Sequence, residues 1–197
     1  MATPEHVLSG PQILAAALLR DVERIANRSA ARMQELLPSY AKVPREALTP
    51  VVLANTRNLL EAIRDPVGDP TRERSDHQAS GLARARQGIT SDEMLHGWRI
   101  GLEGVREAAY AIADQLEVGN DALLEFVEAT LRWGDIGMRA SASAHHEAEI
   151  REFGRLVEEQ AALRRVAMLV ATEASSGEVF AKVVEEVAGL LGDVDVA

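Results

Sequence analysis

No proline occurs between Asn120 and Ala197. Proline ends or kinks a helix because it lacks the N–H and its ring clashes with the preceding turn. Here Leu123, Leu124, Phe126, Val127, Leu131, Ile136 and Met138 recur at helical spacing, which predicts a very long helix starting at Asn120 or Asp121. Beyond about Ser143 the composition shifts to charged residues mixed with single apolar ones. In that stretch Phe153, Leu156, Gln160, Leu163, Ala167 and Val170 alternate spacings of three and four, a short heptad seam with one polar member. Glu158, Glu159, Arg164 and Arg165 supply flanking charges. Such a seam predicts a parallel homodimer whose register Gln160 fixes.

The helical period also dominates upstream. Ile13, Leu14, Ala17, Leu18, Val22, Ile25 and Met33 predict one helix from Pro11 to Leu37, capped by Ser9 and ended by Pro38. The linker SYAKVP follows. A second helix starts near Pro44 with Leu48, Val51, Val52, Leu59, Leu60 and Ile63, and Pro50 is expected in its tolerant first turn. DPVGDP at 65–70 breaks the chain. A third, polar helix spans about Thr71–Gln87, with Arg72, Arg74, Arg84 and Arg86 expected on a solvated face and Gly88 placed to stop it. Thr90 and Glu93 have capping-box spacing for a fourth helix, which carries Met94, Leu95, Trp98, Leu102, Val105, Ala109 and Ile112 to about Val118–Asn120. After SSGE at 175–178, Val179, Val183, Val184, Val187, Leu190 and Leu191 form a short amphipathic helix. The closing GDVDVA alternates as a strand does, and a lone strand is unstable. The C-terminus is therefore expected to be the opening of a cut domain. The fold class expected is all-α, a bundle of about five helices extended by a long C-terminal helix.

The net charge of −10 disfavours nucleic-acid binding, because a phosphate backbone would be repelled. The absence of cysteine removes disulfides, thiolate nucleophiles and cysteine-rich zinc sites. No basic n-region or long apolar run marks a leader, and no segment reaches the ~20 apolar residues that span a bilayer. A soluble, cytoplasmic protein without membrane partners is expected. No GxSxG, GxGxxG, P-loop or paired-carboxylate arrangement occurs, so catalytic residues are expected to be absent. His145, His146, Glu147 and Glu149 look metal-like, with His145 and Glu149 four apart on one helix face, but lack further ligands and read as polar surface. His77 and His96 offer lone imidazoles for a haem, but three Phe in the whole chain make a poor haem wall. Neither metal nor cofactor is expected.

Gly97, Gly101 and Gly104 stand inside the fourth helix beside Trp98. Each glycine costs a helix about 0.8–1 kcal/mol relative to alanine, so three together need a reason. Close approach of another helix or of a small ligand to this face supplies one. Gly134 and Gly137 on the fifth helix are expected to form the complementary small face.

The stretch ITSDEMLHGWRIGLEGVREAAYAIAD, residues 89–114, resembles the N-terminal helical domains of PucR-type regulators and the N-terminal domain of the RsbT co-antagonist RsbRD. Trp98, Arg99, Ile100 and Gly101 match the aromatic–Arg–Ile–small core of that pattern. LLRDVERIANRSAARMQELLPSYAKVPREAL is similar to the same family's opening. EQAALRRVAMLVATEASSGEVFAKVVEEVAGLLGDVDVA resembles the linker, first helix and first strand of a GAF domain. The two resemblances together imply a sensor or regulatory domain over 11–150, a coiled-coil-like signalling helix over 151–174, and the start of a GAF-like domain over 175–197. They imply a bundle, globin-like in some relatives, that is no enzyme and that takes a signal or a regulatory protein partner. A small-ligand or haem sensor is the alternative, as is the N-terminal part of a GAF-containing histidine kinase or PucR-type transcription regulator.

Overall fold

The computed structural model describes residues 8–66, 70–171 and 175–192, and among them there are only helices and connecting turns. Eight helices occur in order: α1 (Gly10–Arg20), α2 (Val22–Leu36), α3 (Pro38–Ala41), α4 (Arg45–Arg64), α5 (Pro70–Arg86), α6 (Ser91–Ala113), α7 (Asn120–Ala171) and α8 (Ser176–Gly192). The all-α bundle and its long helix are as the periodicity predicts. The chain divides into two units at residues 146 and 147, inside α7.

Four boundaries differ from the pattern-based expectation. The helix expected over Pro11–Leu37 is two helices, broken at Asp21 (φ −110°, ψ 11°). Asp21 favours a helix end because its short carboxylate competes for local hydrogen bonds, and it pairs with Arg24 at 2.6 Å. The apolar register continues across the break, so periodicity gives no sign of it. The linker SYAKVP instead begins as the short helix α3, which buries Tyr40. Pro50 lies inside α4 rather than in its first turn. Finally, α6 stops at Ala113 and gives way to a turn in which Val118 N–H donates to the Ala113 carbonyl (3.0 Å) and Glu117 takes φ 55°. The strand-like residues 193–197 lie outside the described residues.

Local signals at the helix ends do tertiary service. Ser9 N–H donates to Gln12 Oε1 (2.8 Å), and Gln12 Nε2 donates to the Arg64 carbonyl (2.9 Å), so the start of α1 holds the end of α4. Thr90 Oγ1 accepts from Glu93 N–H (3.3 Å) and caps α6. The Glu93 carboxylate accepts from Ser39 N–H (3.1 Å), docking α6 on α3. Gly88 ends α5 in the left-handed region (φ 70°), where glycine carries no Cβ penalty.

In the first unit, residues 1–146, the core has two connected parts. One gathers Leu14, Leu18, Ile25, Leu59, Leu60, Val105, Phe126 and Trp133. The other gathers Ala30, Met33, Tyr40, Leu48, Ile89, Met94 and Ile100. Leu53 and Trp98 pack on both. Ala15, Ala26, Ala30 and Ala109 are fully buried, so close helix approach replaces large aromatic volume.

In the second unit, residues 147–197, the α7 segment and α8 are joined by charge. Arg165 donates through Nε (2.8 Å) and Nη2 (2.5 Å) to the Glu186 carboxylate, and Lys182 lies 3.1 Å from it. Hydrogen bonds from Arg165 and then Lys182 hold the Glu186 carboxyl down at about 2. Ala162 is buried, whereas Phe153, Leu163, Met168 and Phe180 are exposed.

The α6 glycines are not equivalent. A Cβ at Gly97 would lie 2.7 Å from Tyr40 Oη, and one at Gly101 would lie 3.7 Å from Met33 Cε, an ordinary contact. Gly97→Ala is expected to destabilise by about 1–3 kcal/mol through overpacking. Gly101→Ala is expected to stabilise by about 0.5–1 kcal/mol through helix propensity. Urea unfolding of the two variants against wild type checks both signs.

Candidate functional site

Five helices of the first unit, together with the first half of α7, converge on a cavity of about 50 Å³. Met33 comes from α2, Tyr40 from α3, Val52, Asn55, Thr56 and Leu59 from α4, and Ser80 and Arg84 from α5. Met94, Gly97, Trp98, Gly101, Leu102 and Val105 come from α6, and Trp133 from α7. Both tryptophans of the chain stand on this wall.

Arg84 is the unusual member. Its residue is 4% exposed, so the guanidinium is held in the interior. Nη1 donates to Gln87 Oε1 (2.6 Å), and the guanidinium carbon lies 5.5 Å from the Tyr40 ring centroid, a cation–π distance. Among the described residues no carboxylate forms an ion pair with it. Burial lowers the Arg84 pKa from its ordinary value, and the neighbouring Tyr40 opposes that. Burial raises the Tyr40 pKa, with Arg84 opposing and Glu93 adding to the rise.

Behind this wall three rings interlock. His77 on α5 meets Trp133 edge-on at 4.6 Å between centroids and Trp98 at 5.3 Å, while the two indoles are 5.7 Å apart. Such edge-to-face pairs contribute about 0.5–1.5 kcal/mol beyond burial. The His77 carbonyl accepts from Ser141 Oγ (2.8 Å) on α7. Neither His77 ring nitrogen nor Trp133 Nε1 has a hydrogen-bond partner among the described residues. The chain permits this closeness through glycine: Gly81 on α5 abuts the Ser141 backbone, and a Cβ at Gly137 on α7 would lie 2.6 Å from Trp98 and 3.2 Å from His77.

Several residues singled out from the sequence take definite places. Gly97, Trp98 and Gly101 line the cavity. Gly104 instead faces Ser29 Oγ of α2, at 2.5 Å from an added Cβ. Gly134 and Gly137 do not oppose the α6 glycines: they receive the large side chains Leu102 and Trp98. Phe153, Leu156, Gln160, Leu163, Ala167 and Val170 are all exposed. Arg84 does not lie on a solvated face; the cavity takes it inside, while Arg86 is exposed and Arg72 and Arg74 fall where side chains are not described. His145 is buried, not on a polar surface, with Nε2 2.7 Å from the Ile89 carbonyl. Among the described residues no group of three or more His, Asp or Glu is placed to hold a metal. His96 is half exposed, 4.0 Å from Asp92. Tyr40, His77, Arg84 and Trp133 escape sequence reading as a group, because they sit on two helices and near the start of the stretch expected as a linker, with no common motif. A lone histidine and arginine on a helix poor in aliphatics were the available signal.

His77 is 1% exposed, and burial lowers its pKa from 6.5, with Asp76 opposing the shift. The other rings against it, Trp98 and Trp133, carry no charge. A histidine held neutral in the fold contributes fully above the unfolded value of about 6.5 and loses that contribution as pH falls toward the lowered value. The loss is about 1.4 kcal/mol for each pH unit crossed in that window. Thermal melts between about pH 7.5 and pH 5.5 should show stability falling, and His77→Phe should flatten that slope. An unchanged slope in the variant would assign the effect elsewhere.

No helix among the described residues is long and apolar enough to cross a membrane. No curated protein and no solved structure matches the chain. Residues 23–160 match the family model described as the RsbT co-antagonist protein rsbRD N-terminal domain. That span contains every residue lining the cavity and most of α7, and the chain belongs to the RsbT co-antagonist rsbRD N-terminal domain family.

Proposed function

We propose that this chain is the input part of a signal-transduction protein, receiving a signal in the bundle and passing it along α7 to a downstream output. The family supports the coarse half of that reading, a regulatory module rather than a catalyst. One observation carries the finer half: α7 supplies Trp133 to the cavity wall and, further along the same helix, carries the exposed apolar residues Phe153, Leu156, Leu163 and Val170. A change in the seating of Trp133 is, in this reading, passed along the continuous helix α7 toward that stripe. In this reading the stripe is the seam of a parallel homodimer, Gln160 sets its register, and rotation of the helix is the message.

The stretch after Ser175 is read as the opening of a GAF-like domain in a transcription regulator or sensor kinase. Helix α8 with its apolar valines supports that assignment. A haem sensor is the weaker reading: a cavity of about 50 Å³ holds a few non-hydrogen atoms, not a macrocycle, and two indoles crowd the edge of His77.

The natural lack of cysteine makes the test direct. Leu156→Cys and Leu163→Cys, each alone, should give oxidised homodimers at micromolar protein. A control cysteine at the exposed Arg164 should cross-link much less. Monomers at every position would refute the seam.

A further inference from the structure

Arg84, 4% exposed as a residue, brings a guanidinium to the half-open cavity with no described carboxylate beside it. A guanidinium taken from water without a carboxylate beside it is costly. Stacking on Tyr40 and one bond to Gln87 leave most of its five N–H donors unused by any described ion pair. On the same wall Trp133, 7% exposed, holds a buried Nε1–H with no acceptor. Thr56, also buried, spends its hydroxyl hydrogen on the Val52 carbonyl (2.8 Å), so its oxygen remains an acceptor only. The remaining wall is largely apolar, with Met33, Leu59 and Val105 among it.

We propose that the cavity binds a short-chain aliphatic monocarboxylate of the size of acetate or propionate. The planar carboxylate suits the fork of the Arg84 guanidinium, which recognises such groups through paired hydrogen bonds. Trp133 Nε1–H donates to the carboxylate as well, and the alkyl group lies on Met33 and Leu59. The volume sets the size. One water-sized atom needs about 10–15 Å³ of such space, so about 50 Å³ takes three to five non-hydrogen atoms and a medium-chain acid does not fit within it. Dicarboxylates are disfavoured because one cation faces the space. Bound there, the acid touches α2, α4, α5 and α7 at once. The binding stands by itself; only its effect on α7 rests on the transmission reading above.

Trp98 and Trp133 are the only tryptophans and both line the cavity, so intrinsic fluorescence reports occupancy. The full chain is titrated with sodium acetate, propionate and hexanoate, with sodium chloride at matched ionic strength. Acetate and propionate should saturate with dissociation constants of about 0.1–10 mM, the range that the affinity ceiling per atom allows for so small a ligand. Both should raise the melting temperature, as a ligand of the folded state must. Hexanoate should bind at least about tenfold more weakly than propionate. Arg84→Met replaces a buried cation by an apolar group of similar length, and should melt no lower than wild type while losing the response. Trp133→Phe keeps the ring and removes the N–H, and should weaken binding about tenfold.

No saturable response of the wild-type chain to either short acid up to about 50 mM would overturn the proposal, as that concentration exceeds the range the size allows. Hexanoate binding as tightly as propionate, or unchanged binding in Trp133→Phe, would overturn it too. Acetate binding without any change in cross-linking at Leu156 would leave this site standing and refute transmission. Cross-linked dimers with no acid binding would do the reverse.

Discussion

The seating of α5 against α6 and α7 is the constraint on which the first unit depends. Helix α5 has almost no aliphatic residues to bury. Its described buried positions are His77, Gly81 and Arg84, two of them ionisable and one without a side chain. It is held by a ring wedged between two indoles, by a glycine notch against the Ser141 backbone, and by Ser141 Oγ donating to the His77 carbonyl. Each hold requires close approach of α7, and that approach is available only because Gly81 and Gly137 carry no Cβ there. If α5 were seated an ångström further out, the three rings would separate and the cavity would lose part of one wall.

This grip is polar where the rest of the bundle is apolar. Leu14, Leu48, Leu59, Leu60 and Phe126 are essentially fully buried and each contributes a burial term of about 1.5–3 kcal/mol. Helix α5 draws little from that source. Its contacts are directional, so they fix one geometry well but tolerate displacement poorly. Elements bound mainly by a few specific contacts belong to the low end of local stability, from which moving parts are drawn. The cavity therefore sits at the boundary between a rigid apolar core and its least apolar wall.

How much of this is legible in the sequence depends on the kind of information each feature needs. Helix type and the extent of α7 come from periodicity and from missing prolines, both local. The Thr90 cap is local too, and is read correctly, but its Glu93 partner is diverted to Ser39, which only tertiary structure reveals. The break at Asp21 is hidden because the apolar register runs through it. The glycines of α6 announce close approach without saying to what, and the answers differ: Tyr40, Met33 and Ser29 in turn. Arg84 misleads most. On a helix of mean polar character an arginine reads as solvated, and its burial depends on Tyr40, distant in sequence and carried by a four-residue helix that pattern reading takes for a linker. Family resemblance fares better than pattern here, because the aromatic–Arg–Ile–small run around Trp98 stores the packing that single positions do not.

A cation in a small, largely apolar chamber is the second constraint on this end of the bundle. Partial burial of the Arg84 guanidinium carries an electrostatic cost, partly offset by the Tyr40 ring. The wall contributed by α7 is an indole, not a charged group, so changes there act through ring packing against Trp98 and His77 and not through long-range fields. Short-range packing is bistable in a way that screened charge is not, because interlocked rings either mesh or do not. The same property that makes α5 hard to recognise from sequence, its reliance on a few interlocked polar and aromatic groups, is what ties its seating to that of α7.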